Sequence, residues 1–382
     1  MPEIIPYHLT FHGGLHVGSR GVDVDEARPT LPADTLFSAL VSAWVQTGRD
    51  ADAWVQPFVG DAPDPPFLLT SAFPFAGDVR FYPAPVDMPQ RFSKATVKRR
   101  GKAIKRIAWI SEALFHAYLA GEPLDDRLFP DDAHAEPSGK QGAALQGGTL
   151  WLTQEEAARL PQSMRQKPGA PVNRPLRALR QLRVFAMERV PRVAIDRVSD
   201  ASNIFHAGRT TFARGCGLWF GVQWLHPDAK TDDLTYRQAF ELLLAHLADS
   251  GLGGERTYGY GAFTFAPQSA VPLPEPQPQA PAMLLSRYHP RQDELPAVLG
   301  NGAAYRLESV AGWLYSPDGP GQRRKRLHLL GEGSLAIWPG HPAGDVTDVR
   351  PEYEEAPQPF PHPVWRYGLA LAAGVQKEVT DA

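Results

Sequence analysis

Apolar residues recur at helical spacing in two stretches of the chain. Over 33–46, Leu36, Leu40 and Trp44 form one i, i+4 row, with Phe37, Val41 and Val45 beside it. This predicts an amphipathic helix with Pro32 and Asp34 at its first turn. Over 236–248, Tyr236, Ala239, Phe240, Leu243, Leu244 and Leu247 predict a second. Strands are predicted at 3–11, 67–75, 79–82, 218–225 (LWFGVQWL) and 260–265. With insertions set aside, the order is β-α-β-β-α-β, an α+β arrangement of the ferredoxin-like kind.

Residues 85–190 do not fit that unit. They are rich in Pro, Gly and charge, and predict a long insertion with a helix near 107–119, part of it expected to be mobile. Residues 192–214 predict a projecting hairpin: Val193 and Ile195 alternate, 199–203 supplies turn chemistry, and Phe205 and Phe212 lie on the return. Residues 266–281 hold six prolines and predict an extended linker, dividing a domain over 1–265 from one over 282–382.

Composition narrows the class. The chain of 382 residues is long enough for two cores, and no apolar run reaches the length of a membrane span. The opening Met-Pro-Glu-Ile-Ile has neither the charged nor the apolar region of a signal peptide, so a cytoplasmic location is expected. Cys216 is the sole cysteine, which leaves no internal disulfide and no cysteine-rich zinc site; no cofactor or metal is expected. Net charge is only −3, but it is segregated. Residues 94–106 carry seven cations and no acid, 159–183 seven more, and Arg323 to Arg326 form a third cluster. Such segregation creates local basic fields on a near-neutral protein.

The stretch Gly251-Leu-Gly-Gly-Glu-Arg-Thr-Tyr-Gly-Tyr-Gly261 puts five glycines between the second helix and the last strand. Glycine permits φ > 0 and close approach of a ligand to backbone N–H groups. Arg256 adds a cation, and Tyr258 and Tyr260 add stacking faces. No Lys-Ser or Lys-Thr follows, so this is not a Walker A loop. The helix-to-strand order is the reverse of a dinucleotide fingerprint. A surface for a phosphate-rich ligand is the expectation, set against a plain Gly-rich helix cap.

Several short motifs together resemble a family. Leu15-His-Val-Gly18, Leu31-Pro-Ala-Asp-Thr-Leu-Phe-Ser-Ala-Leu40, Ile195-Asp-Arg197 and the 251–261 loop are similar to the RAMP proteins of CRISPR effectors. Leu285-Ser-Arg-Tyr288, Gly312-Trp313, the Arg323–Arg326 cluster, Gly331-Glu-Gly-Ser334 and His362-Pro-Val-Trp-Arg-Tyr-Gly368 resemble the fourth-subunit family of type III-A Csm complexes. The likeness covers both ends of the chain and is weak across 85–190. It implies two ferredoxin-like folds and a non-catalytic RNA-binding subunit in antiviral defence. That subunit caps the crRNA 5′ handle and links the large polymerase-like subunit to the backbone RAMP subunits. By motif, the handle would meet Gly251, Gly253, Gly254, Arg256, Thr257, Tyr258 and Gly259. The hairpin would be the family's thumb, with Arg192, Arg197, Asn203 and Arg209 as contacts. Residues 258–265 are similar to the RNP1 motif, but carry an extra residue, lack the leading cation and lie on the last strand. Phe263 and Phe265 are therefore expected in the core.

Three other readings stay open. A crRNA-processing endoribonuclease would use a histidine as general acid or base, and His12, His16 and His206 are available. Metal-assisted cleavage would use Asp23 or Asp25, after the first strand. A scaffold that binds no RNA would join partners through some of the nine tryptophans.

Overall fold

The computed structural model of the protein describes residues 2–18, 27–167, 169, 172–195, 202–316, 319–351 and 360–376. Six elements form its centre: β1 (Glu3–Phe11), α1 (Ala33–Gln46), β2 (Phe73–Ala76), β3 (Cys216–Trp224), α2 (Tyr236–Ser250) and β4 (Phe263–Pro267). The sheet order is β4-β1-β3-β2, all antiparallel. Register follows the alternation of large side chains. Tyr7 faces Phe220 and Leu9 faces Leu218 on one side, and Leu9 faces Phe265 on the other. The Tyr7 and Phe220 rings stack at 5.4 Å, a cross-strand pair that fixes the pleat. A short strand, Phe67–Leu69, pairs with the far end of β3.

Both helices bury the predicted stripes. Leu36, Phe37, Leu40 and Trp44 of α1 are inaccessible, as are Phe240, Leu243 and Leu244 of α2. Val45 corrects the prediction: it is 50% exposed, because the buried stripe narrows to Ala43 and Trp44 in the last turn. Thr235 and Gln238 form a reciprocal capping box at the start of α2. The last strand begins at Phe263 rather than at Tyr260; Phe263 is buried and Phe265 is partly buried.

The 85–190 segment extends the same sheet. Beyond β2 come Val79–Pro83, Trp109–Ser111, Leu150–Leu152 and Ala143–Leu145. The predicted helix near 107–119 is shorter, Glu112–Leu119, because 109–111 pairs as a strand. The cationic run 94–106 is itself a helix, Lys94–Arg106, capped by the Ser93 hydroxyl.

Residues 266–281 are extended and lie along β1: Val271–Pro272 pairs with Glu3 and Ile4, and Val271 and Leu273 are buried. The C-terminal part places β5 (Pro281–Leu284) between β6 (Leu335–Ile337) and β7 (Ala372–Gly374). Among the described residues its one helix is Leu295–Val298. Met283, Leu285, Tyr367 and Leu371 join the same apolar core as α1. Tyr367 packs 4.9 Å from Phe37 and its hydroxyl accepts from the Leu69 N–H. The two parts of the chain therefore share one interior.

Candidate nucleic-acid interface

The glycine-rich loop begins where α2 ends. Gly251 has φ +86 and donates its N–H to Leu247 O at 2.8 Å. Gly253, Gly259 and Gly261 also have positive φ, and Glu255 is left-handed. Most of this freedom serves the loop's own closure. A Cβ on Gly261 would lie 2.0 Å from Leu252 O, and one on Gly253 would lie 2.3 Å from His16 O. Gly259 alone of these has open space where a Cβ would stand. Arg256, Thr257, Tyr258 and Gly259 stand exposed on the crown of the loop, as does Gly254 beside them.

The hairpin is longer than predicted, Phe185–Ile195 against Ser202–Phe212, because its pairing continues down to Phe185 opposite Phe212. It is braced against the loop. The Arg192 guanidinium lies over the Tyr258 ring at 3.8 Å and near Tyr260 at 5.3 Å, with Glu255 3.6 Å away. Arg209 pairs with Glu188 at 2.8 Å across the hairpin. His16 ties the two together: its Nδ1 donates to Gly208 O at 2.7 Å, and its carbonyl accepts from the Gly254 N–H at 2.9 Å. Arg197 lies outside the described residues; Asn203 is paired through its backbone with Ala194.

Next to the loop is a groove of about 430 Å³ between the two parts of the chain. Gly251, Gly253, Gly254 and Arg256 form one wall, and the polar face of α1 (Thr35, Ser38, Ser42) forms another. Arg28, Arg287, Arg324 and Arg366 line the rest, with Trp313 at the rim, 52% exposed. The sequence reading chose none of these last residues. They are separated by up to 338 positions, from Arg28 to Arg366, and only the fold brings them together.

The electrostatics centre on Asp34, which is fully buried. Burial alone would raise its carboxyl. Arg287 at 3.2 Å and Arg366, which donates to the other oxygen, outweigh burial and hold it below the ordinary carboxylate range. Arg287 also approaches Glu332 at 3.6 Å and Glu308 at 3.9 Å, and Arg28 pairs with Glu308 at 3.3 Å. Arg324 is different. One guanidinium N–H reaches Trp313 O at 3.1 Å, but its Nε is buried with no partner among the described residues. Burial, then the neighbouring Arg366, lower its pKa to about 10. Among the described residues, Arg28, Arg256, Arg287, Arg324 and Arg366 face Asp34, Glu308 and Glu332, five cations to three carboxylates. An anion in the groove would relieve the excess.

The other candidates are not assembled around one point. His12 and His206 are exposed, and His16 uses Nδ1 to hold the hairpin. Asp23 and Asp25 lie outside the described residues. Burial pushes the Cys216 thiol up to about 12. Among the described residues no three His, Cys, Asp or Glu side chains group as a metal site, and no helix is long and apolar enough to cross a membrane.

Known proteins are similar to this chain in sequence and in overall fold. The chain belongs to the RAMP superfamily, whose model matches residues 8–264. Residues 277–375 match the CRISPR Csm4 C-terminal domain. The CRISPR system Cms protein Csm4 of Streptococcus thermophilus is 24% identical over 371 residues, covering 96% of each chain. Among solved structures, a chain of the Csm3-Csm4 subcomplex of the type III-A CRISPR-Cas interference complex aligns with a TM-score of 0.60 at 15% identity, over 98% of this chain and 99% of that one. A chain of the Csm1-Csm4 cassette in complex with pppApA aligns with a TM-score of 0.53 at 17% identity, over the same shares.

Proposed function

We propose that this chain is the RNA-binding, non-catalytic subunit of a cytoplasmic type III-A CRISPR effector complex, and that it holds the 5′ handle of the crRNA. The sheet order β4-β1-β3-β2 with α1 and α2 supports a ferredoxin-like fold for the first part, and we read the C-terminal part as a second, strand-rich version. The relatives found with Csm1 and Csm3 support contacts to the large subunit and to a backbone RAMP subunit.

One observation carries the RNA reading: Arg324 is half-buried with its Nε shut off from solvent, and no carboxylate among the described residues pairs with it in a groove walled by the glycine-rich loop. Buried cations are kept when something pairs them, and phosphates suit guanidinium geometry. Arg256 and Trp313 stand exposed at the mouth, one for a phosphate and one for a base face. The hairpin beside the loop sets the direction in which the strand leaves.

Binding of a handle RNA by wild type, Arg256→Ala and Arg324→Ala tests this. With about five phosphate contacts, log K should fall with log salt at a slope near −3.5, and each variant should flatten it by about 0.7. Equal affinities and slopes for all three proteins would remove the proposal. Specific cleavage of repeat RNA, lost in His16→Ala or His206→Ala, would replace it with a processing nuclease.

A further inference from the structure

We propose that the 85–190 insertion carries a second polynucleotide-binding surface, apart from the groove, that tracks the phosphate backbone of a single strand. Two basic runs far apart in sequence meet there. The helix Lys94–Arg106 carries seven cations and no acid. One of them, Arg100, is buried: it donates to Phe129 O at 3.0 Å and pairs with Asp131 at 2.8 Å. The Phe129 ring has the Arg100 guanidinium 5.8 Å away and that of Arg180 at 5.3 Å. This shared ring draws the 159–183 run against the helix.

The outward face is left cationic. Lys98, Lys102 and Lys105 lie at i, i+4 and i+7 on one side of the helix, with Arg99 beside them, and all four are exposed. Among the described residues none of the four forms an ion pair. Like charges one turn apart, about 5–6 Å, disfavour a helix, and a row of phosphates would relieve them. Two concavities of about 740 and 700 Å³ share Arg106 and Arg180. The second is also lined by Arg177, Arg183 and the hairpin base at Phe185 and Met187. The carboxylates nearby, Asp131 and Glu136, are taken by Arg100 and Arg177. From Phe185 the same strand runs to Arg192 at the glycine-rich loop, about 23 Å at about 3.3 Å per residue. No large apolar side chain is exposed on the helix, so it lacks the anchors of a protein interface. Recognition is by charge and independent of sequence.

The test uses the full chain and a quadruple variant, Lys98→Glu, Arg99→Glu, Lys102→Glu and Lys105→Glu. Both are titrated with a handle-length RNA and with the same RNA extended by about 16 uridines. Wild type should bind the extended RNA at least tenfold more tightly. The variant should lose that gain, with its salt slope reduced by about 2.8 for four lost contacts. Binding of the short RNA, which depends on Arg256 and Arg324, should stay unchanged, and this also shows that the variant is folded. Free oligouridine is then added to protein saturated with the short RNA. Binding that the variant lacks assigns the surface to a separate strand; a gain seen only with the joined RNA assigns it to the guide's own continuation. The proposal is overturned if extension adds nothing, if the variant matches wild type, or if polyglutamate binds there while oligouridine does not.

Discussion

The loop–hairpin clasp and the groove beside it both present arginines, but in opposite settings. In the clasp each arginine has a local partner: Arg192 rests on Tyr258, and Arg209 pairs with Glu188 across two strands. In the groove, Arg287 and Arg366 share the buried carboxylate of Asp34, and no carboxylate among the described residues pairs with Arg324. The locally paired, solvated charges of Arg209 and Glu188 are nearly neutral for stability and easily lent to a ligand. Buried charges drawn from distant segments bind the fold together and leave a definite electrostatic deficit. Rigidity and affinity thus come from different arginines.

The largest expected effect breaks this contrast if it fails. Asp34→Asn should destabilise the protein by about 3–5 kcal/mol, because it leaves buried cations unpaired. Glu188→Gln in the clasp should cost less than about 1 kcal/mol. Urea unfolding of both variants is the check, and similar midpoints would dissolve the distinction.

Acid titration separates the groove from the sheet beneath the clasp. Burial, then Arg80, lower the His8 pKa to about 4 from 6.5. Between those values the unfolded chain binds more protons, so stability falls as pH drops from 6.5 to 4, by about 2–3 kcal/mol. His8→Gln should flatten that window. Asp34 has a depressed folded pKa, so its contribution is present above the unfolded value of 3.8 and is lost only as pH falls through the lower folded value. A His8→Gln protein that still lost stability between pH 6.5 and 4 would show that another group is responsible.

Arg324→Met sharpens the comparison further. Removing a half-buried cation that no carboxylate among the described residues pairs should raise stability, by less than about 1 kcal/mol. The same change should weaken handle binding about tenfold, which corresponds to about 1.4 kcal/mol. Thermal unfolding and RNA titration on one preparation test both signs. The smallest effect is expected at Tyr258→Ala, about 0.5–1 kcal/mol from the cation–π contact with Arg192.

Periodicity made the centre of the fold legible. α1 was bounded to the residue, and the β-α-β-β-α-β order followed from alternation and helical stripes. Val45 misled because apolarity alone does not say which residue of the last turn faces solvent. The sheet extension through Trp109–Ser111 and Leu150–Leu152 was hidden by three-residue strands, too short to show a period. The glycine-rich loop was visible as a composition, yet its glycines at 253 and 261 answer to His16 and Leu252 rather than to a ligand. The groove arginines were in view as pieces of short motifs. Their meeting on Asp34 spans 253 and 332 positions, and no local pattern encodes contacts at that range.

The Asp34–Arg366 contact also sets a schedule. Synthesis proceeds at about 5–20 residues per second, so the carboxylate emerges from the ribosome roughly 17–66 s before the guanidinium that neutralises it. The first helix must wait, with its acidic end still wet, until Arg366 has been made.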